Sequence, residues 1–156
     1  MNQTYPMTAS GKRKLEEELL YLKEVKTKEI KDEIKKHHAF CDFSEDSSFD
    51  RMLDEEALLK KKINDLEEQI AFAEIIPKRN SEETAVRLGD WVEFKNLEEG
   101  TTGSYQIVGQ HEANPLENKI SYQSPIGQSF LGKEIGDSWT VQIPAGETTM
   151  KLLQIH

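Results

Sequence analysis

The fold is decided by residues 49–73, which read FDRMLDEEALLKKKINDLEEQIAFA. Apolar side chains recur in this stretch at alternating spacings of three and four residues, which is the pattern of a coiled-coil seam. One charged residue, Glu56, interrupts it. The seam residues are Phe49, Met52, Glu56, Leu59, Ile63, Leu66, Ile70 and Ala73. We therefore predict a long helix that buries one face against a second helix.

A partner helix for this seam precedes it in the chain. Thr8 and Ser10 are both suited to cap its N-terminus, and neither Pro nor Gly occurs in residues 12–36. Its own seam consists of Leu15, Leu19, Leu22, Lys26, Ile30 and Ile34. Between the two helices, residues 40–48 (FCDFSEDSS) lose the helical period and are rich in Asp and Ser, which favour turns. The sequence thus predicts an antiparallel coiled-coil hairpin with an acidic tip.

The charge of the chain excludes one class of function. The 156 residues carry a formal net charge of −9, whereas direct binding of nucleic acid by phosphate neutralisation requires clustered Lys and Arg in excess. Much of the acid lies in residues 37–56, where seven Asp and Glu accompany one Arg. No apolar run is long enough to span a membrane and residues 1–10 lack a secretory signal, so we expect a cytoplasmic protein without a membrane partner.

The second half of the chain has a different pattern. Five short runs rich in β-branched and aromatic residues, separated by Gly, Pro, Asn or Asp, predict one twisted sheet: 91–94, 105–108, 119–122, 139–143 and 149–155. Residues 124–133 are suited to a short helix that covers one face of this sheet. We predict an α+β protein with a hairpin at 1–77, a polar linker at 78–84 and a sheet domain at 85–156.

The acidic tip is the main candidate site. Carboxylates at close spacing are ligands that Mg²⁺ accepts, and Asp42, Glu45, Asp46 and Asp50 lie within nine residues of each other. The alternative is a solvated acidic turn that caps the second helix. In the sheet domain, an apolar group is either core or a docking surface; it consists of Pro125, Ile126, Phe130 and Leu131.

Fragments spread over both halves resemble one known family. In the first half they are Pro6-Met-Thr8, Gly11, Lys14-Leu15, Glu18-Leu19 and Leu22-Lys23. In the second they are Tyr105-Gln-Ile-Val-Gly109, Glu112-Ala113, Lys119-Ile-Ser121, Ser124-Pro-Ile-Gly127, Leu131-Gly-Lys133, Gly136-Asp137 and Pro144-Ala-Gly146. In this order, they resemble the bacterial GreA/GreB transcript cleavage factors.

The resemblance implies a fold, a partner and a chemistry. It implies that a domain similar to the FK506-binding proteins docks at the rim of the RNA polymerase secondary channel. We assign this docking to the apolar group and the residue before it: Ser124, Pro125, Ile126, Phe130 and Leu131. The hairpin would then reach the catalytic centre, where Asp42 and Glu45 help to hold a Mg²⁺ shared with the polymerase. Such a factor is an accessory protein, and we expect a monomer without a metal of its own. His38 and Arg51 are the candidates to contact the RNA 3′ end, an indirect partner.

The tip also departs from the family pattern. Glycine before the first acid is Cys41 here, asparagine after the second is Asp46, and tyrosine is Phe49. Arginine is common in the family where this chain has His38. An alternative is therefore a Gre-like inhibitor whose acidic tip occupies the channel without supporting cleavage. A third function, prolyl isomerisation, rests on fold alone, and we expect no such activity.

Overall fold

A computed structural model describes residues 4–40 and 47–156 of the chain. The contacts group Lys12–Ala73 into one unit and Tyr5–Gly11 with Glu74–His156 into a second. The predicted fold class, a helical hairpin followed by a sheet domain, is confirmed. Within the described ranges, no helix is both long and apolar enough to cross a lipid bilayer. The sequence-based boundaries at residues 77 and 84 remain a prediction.

Between residues 9 and 71, the described part of the hairpin contains three α-helices. They are α1 (Ala9–Tyr21), α2 (Thr27–Phe40) and α3 (Ser47–Ala71). The predicted seam of α3 is confirmed from Phe49 to Ile70, because these residues are buried or half-buried while their neighbours are mostly exposed. Its last predicted residue, Ala73, lies beyond the end of α3 and begins a short strand. Ion pairs flank the hairpin, one between Glu18 and Lys62 at 2.6 Å and one between Lys23 and Glu67. Packing of the two seams therefore stabilises the hairpin, and exposed pairs such as these add little.

A π-helical turn, Leu22–Lys26, joins α1 to α2. In this turn the backbone N–H of Thr27 bonds to the carbonyl of Leu22, and the Thr27 hydroxyl donates to the same oxygen at 2.9 Å. A π turn contains one residue more than an α-helical turn, and here it places Thr27 on the seam beside Lys26, the residue predicted there. Both are half-buried. The seam then continues through Ile30, Ile34 and His37, all half-buried. Thr27 follows Leu22 by five residues, and in a regular α-helix it would lie off the seam. The wider π turn keeps it on the seam.

The described residues form seven strands in two sheets. Short strands β1 (Tyr5–Met7) and β2 (Ala73–Ile75) pair with each other. The larger sheet has the order β5-β4-β3-β7-β6. Its strands are β3 (Trp91–Asn96), β4 (Thr102–Val108), β5 (Lys119–Ser121), β6 (Ser138–Ile143) and β7 (Gly146–Ile155). Within the larger sheet, β4 and β5 are parallel, and the other neighbouring strands are antiparallel. All five strands predicted in the second half are confirmed.

The core of the second unit lies between one face of the larger sheet and a short helix, α4 (Pro125–Phe130). Alternate residues of β3, Val92 and Phe94, point into it and are almost fully buried, as the period of two in a strand requires. Ile107 of β4 and Leu152 of β7 have no exposed surface. The short helix predicted in residues 124–133 is confirmed, and it closes this core.

Candidate functional site

The tip acids lie between the last residue of α2, Phe40, and the first of α3, Ser47. Asp42, Glu45 and Asp46 fall within residues 41–46, outside the described part of the chain. Their assignment as functional carboxylates therefore remains a prediction. The structure does establish that the segment containing them connects two long helices. With 25 residues, α3 alone extends over roughly 38 Å.

Aromatic packing closes the described end of the hairpin. The ring of Phe49 packs against His37, with centroids 5.5 Å apart, and edge-to-face against His38 at 4.8 Å. His37 Nε2 also lies 3.0 Å from the hydroxyl of Ser48. These contacts join the last turn of α2 to the first turn of α3. Phe49 is thus a packing residue at the base of the tip, and His38 contacts it while its side chain remains exposed.

The two charged candidates at the start of α3 are both exposed. Asp50 lies in the first turn of α3, where a carboxylate interacts favourably with the positive end of the helix dipole. This position supports the helix-stabilising alternative for Asp50. Arg51 follows Asp50, and its exposed side chain is accessible to an anionic partner in solution. In the described part of the chain, no three His, Cys, Asp or Glu side chains come together in a group suited to a metal.

In the second unit, the docking candidates lie on and around α4. Ser124 caps this helix: its Oγ accepts a hydrogen bond from the Gly127 N–H at 3.0 Å and donates to the Ser121 carbonyl at 2.7 Å. Pro125 occupies the first turn of α4, where a backbone N–H would have no partner within the helix, so the lack of one costs nothing. Pro125 is exposed. The Ser124 cap thus fixes the first turn of α4 and presents Pro125 to solvent.

The other docking candidates belong mainly to the core. Phe130 has no exposed surface and packs edge-to-face against Phe94 at 5.4 Å and Trp139 at 5.0 Å. Ile126 and Leu131 are half-buried against the same cluster. For Phe130 the structure therefore supports the core alternative, since burial leaves its side chain no surface for a partner. An open cleft of about 320 Å³ adjoins α4, and its lining mixes apolar side chains such as Ile126 and Met150 with polar ones such as Asn96, Glu99 and Thr148.

The sequence predictions missed a group of contacts around the start of α1. Thr8 caps this helix, as one of the two capping alternatives proposed, and the carboxylate of Glu112 binds both its backbone N–H and its hydroxyl. Glu112 is 104 residues away in the chain, so no local pattern reveals the contact. The available signal was a glycine, Gly11, three residues after Thr8, where a capping box has Glu or Gln.

Comparisons with known proteins agree with this architecture. Residues 5–75 match the family model described as transcription elongation factor, N-terminal, and residues 81–156 match the one described as transcription elongation factor, GreA/GreB, C-term. The transcription elongation factor GreA of Bacillus licheniformis is 46% identical over 153 residues, which cover 98% of this chain and 97% of that protein. The GreA of Bacillus cereus (strain AH187) is 45% identical over 153 residues, with coverage of 98% and 97%.

A solved structure is also similar, that of GreA factor homolog 1 from Thermus thermophilus. It is 28% identical, covers 99% of this chain and 99% of its own, and has a TM-score of 0.45. The two family models together match nearly the whole chain, and the Bacillus relatives are similar over almost their full length. The chain belongs to the GreA/GreB family of transcription elongation factors.

Proposed function

We propose that this elongation factor binds RNA polymerase at its secondary channel and stimulates cleavage of backtracked nascent RNA. The observation that supports it is the presence of Asp42 and Glu45 between the two helices of a hairpin, in a chain matched by both family models. The seam of α3 is half-buried along its length and fully buried at Leu66, so the hairpin has the packing needed to present its tip to a partner. The factor is an accessory protein, and the polymerase performs the hydrolysis.

The donor set at the tip fits this chemistry. Carboxylate oxygens are preferred ligands of Mg²⁺, which commonly retains waters and is shared between a few carboxylates and phosphates. In the proposed complex Asp42 and Glu45 supply oxygens to a polymerase-bound Mg²⁺ and orient the attacking water. The metal ion would activate this water and stabilise charge on the cleaved phosphodiester. His38 and Arg51, both exposed, are placed by the proposal near the RNA 3′ end.

The second unit supplies the docking surface in this proposal. Pro125 is exposed at the first turn of α4, which Ser124 fixes by its two hydrogen bonds. We assign docking to this end of α4, with the partly exposed Ile126 and Leu131 at its margin. Phe130 is a buried core residue, and it does not belong to this surface itself.

A cleavage assay tests the proposal. Purified polymerase is stalled in a backtracked complex with end-labelled RNA, and the wild-type factor is added. We expect release of short 3′ fragments, and a loss of about 100-fold or more in cleavage rate for Asp42→Asn or Glu45→Gln, because each removes charge from a metal ligand. Asp50→Asn is the matched control, since Asp50 lies in the first turn of α3. A wild-type factor that releases no fragments contradicts the proposal.

A second candidate function is inhibition of the polymerase without cleavage. Asp46 adds a third acid beside Asp42 and Glu45, and His38 replaces a common arginine, which favours occupation of the channel over productive RNA contact. Steady-state RNA synthesis at saturating factor separates the two functions. An inhibitor slows synthesis on templates without pauses, whereas a cleavage factor restores elongation from stalled complexes.

A further inference from the structure

Two lysines lie directly opposite each other on neighbouring strands of the larger sheet. Lys95 of β3 and Lys151 of β7 are Cα partners in this antiparallel pair. The residues beside them, Phe94 and Leu152, are buried in the core, so the alternation of a strand places both lysines on the opposite face. Both lysines are exposed. Their Cβ atoms are therefore about 4.5–5.5 Å apart, and two cationic side chains share one small area of the surface.

Residues with hydroxyl groups flank the two lysines. Thr102 of β4 is the Cα partner of Lys95, and Ser138 of β6 is the Cα partner of Lys151. All four residues are exposed, and we call them the outer row. The outer row thus crosses β4, β3, β7 and β6 in turn, and it carries two cations, two hydroxyls and no acid.

The lysines of the outer row have no acidic partner in the described part of the chain. Neither ammonium group forms an ion pair or a hydrogen bond with any residue that the structure describes. Two acids lie on the same face of the sheet, but each has another partner. Glu93 lies 3.2 Å from His156 Nε2, and Glu147 accepts a hydrogen bond from Gln142 at 3.0 Å. Both positive charges are therefore available to a second molecule.

The position of these two lysines opposes the stability of the sheet. Like charges directly opposite each other on adjacent strands repel. Lysine on an edge strand commonly prevents pairing with another chain, but β3 and β7 are both interior strands in the order β5-β4-β3-β7-β6. Edge protection therefore does not explain Lys95 and Lys151. An arrangement that lowers stability without a structural gain is typical of a functional surface.

The charge of the outer row favours an anionic occupant. We propose that the outer row is a docking surface for an acidic segment of a protein partner. Carboxylates four residues apart on a helix have Cβ atoms about 5–6 Å apart, which matches the spacing of the two lysines. The hydroxyls of Thr102 and Ser138 are further donors for these carboxylates. A nucleic acid is less suitable, because its phosphates require a larger excess of basic residues than a chain of net charge −9 provides.

This docking surface is independent of the proposed transcript cleavage. The outer row lies on one face of the larger sheet, whereas α4 and the core cover the other face. The proposed polymerase-docking end of α4 is therefore on the opposite side of the same sheet. An acidic partner on the outer row and a polymerase at α4 can be bound at the same time.

Charge-matched variants of the full-length protein test this proposal. Lys95→Gln and Lys151→Gln each remove one charge from the outer row. Lys78→Gln removes the same charge from another exposed site in the second unit. The probes are a labelled helical peptide whose glutamates recur every four residues, its glutamine counterpart and a labelled oligouridylate. Binding is measured by fluorescence anisotropy at low and high salt, and melting temperatures are measured at low salt without a probe.

We expect the wild type to bind the glutamate peptide, more weakly at high salt, and not to bind the glutamine peptide. Lys95→Gln and Lys151→Gln should each weaken this binding about 2–5-fold, whereas Lys78→Gln should change it by less than about 1.5-fold. Amide NMR signals of Lys95, Ser138 and Lys151 should shift when the glutamate peptide is added, and those of α4 should not.

The melting temperatures should change in the opposite direction to the affinity. Lys95→Gln and Lys151→Gln should each melt up to about 4 °C higher than Lys78→Gln, because the repulsion between the two lysines is removed. The variant with both outer-row substitutions should be no more stable than either single variant, since one substitution already removes the repulsion. Weaker binding together with higher stability is the result that a docking surface requires.

Three results would overturn the proposal. One is that the wild type does not bind the glutamate peptide, or that the outer-row variants bind it as tightly as Lys78→Gln does. Another is that binding is lost only together with a lowered melting temperature, which would assign the lysines to the stability of the sheet. The last is that the oligouridylate binds more tightly than the glutamate peptide and is lost in the same variants, which would identify a nucleic-acid surface instead.

Discussion

The guanidinium of Arg79 binds the carboxylate of Asp90, which is only 6% exposed. The same carboxylate oxygen accepts a hydrogen bond from the backbone N–H of Arg87 at 2.8 Å. Arg79 also donates to the carbonyls of Glu83 and of Ala85, the latter at 3.3 Å. The polar stretch that follows Pro77 is thus bound to the start of β3, and a single arginine makes most of these bonds.

Replacement of Arg79 by Ala should destabilise the second unit by about 3 kcal/mol, because it leaves the buried Asp90 carboxylate without its counter-ion. Chemical denaturation followed by tryptophan fluorescence measures this effect, since Trp91 and Trp139 are both in that unit. Gln142→Ala, in the same unit, is the control: it removes an exposed hydrogen bond to Glu147 and should cost less than about 0.5 kcal/mol. Equal effects of the two variants would show that burial of Asp90 does not matter.

Glu83 should make the stability of the second unit depend on pH. A hydrogen bond from the Arg87 guanidinium is the main cause that holds the pKa of Glu83 below its ordinary value of 4.5. The unfolded state therefore binds the proton more tightly. The stabilisation is complete above pH 4.5 and is lost as the pH falls through the lower pKa of the folded state.

Melting temperatures of the wild type and Glu83→Gln between pH 7 and pH 3 test this sign. The wild type should melt higher at pH 7, and the difference should close in the acid range. Glu98→Gln, on an exposed turn, should melt with the wild type throughout. A difference that widens as the pH falls would contradict the assignment.

Phe130 and Pro125 should respond in opposite ways to truncation. Phe130→Ala removes a fully buried ring and should cost about 3–5 kcal/mol of unfolding free energy. Pro125→Ala, at an exposed position, should leave stability nearly unchanged and weaken polymerase binding. Denaturation and a binding titration on the same two proteins check both statements. Stability unaffected by Phe130→Ala would argue against its place in the core.

Deletion of one residue from the π turn should be tolerated. Without Val25, the inward row from Leu22 through Thr27 and Ile30 has spacings of four and three residues, which suit a regular helix. We expect the hairpin of this variant to keep its helical signal at 222 nm and to melt within a few degrees of the wild type.

Deletion of Lys61 from the regular helix α3 is the matched control. Every later residue of α3 then rotates by about 100° relative to the seam, so the hairpin should lose much of its stability. If both deletions are equally harmful, the π turn does not absorb an extra residue.

The sequence predicted those features that depend on local periodicity. The seam from Phe49 to Ile70 was predicted correctly because spacings of three and four residues place all of its residues on the same side of one helix. The π turn was missed because Lys26 lies four residues after Leu22, which matches the spacing of a regular helix. The spacing therefore did not indicate that Thr27 also lies on the seam. Strands β1 and β2 were missed because three residues are too few to show alternation.

The same distinction between local sequence pattern and tertiary contacts applies to the candidate site. The capping role of Thr8 follows from residue type and position, whereas its bonds to Glu112 depend on the tertiary fold. The patch around α4 could not be assigned from composition, because the buried Phe130 and the exposed Pro125 are both apolar and belong to the same six-residue helix. The roles of Asp42 and Glu45 remain predictions, since both lie outside the described residues.

The position of β7 in the sheet has a consequence for biosynthesis. This strand comes last of the seven along the chain, yet it lies between β3 and β6, and β6 has no other partner strand among the described residues. A ribosome must therefore complete residues 146–155 before β6 can join the sheet, whereas α1, α2 and α3 are all complete at residue 71. We expect nascent chains halted before residue 146 to expose the unpaired edge of β3 and to require protection from aggregation.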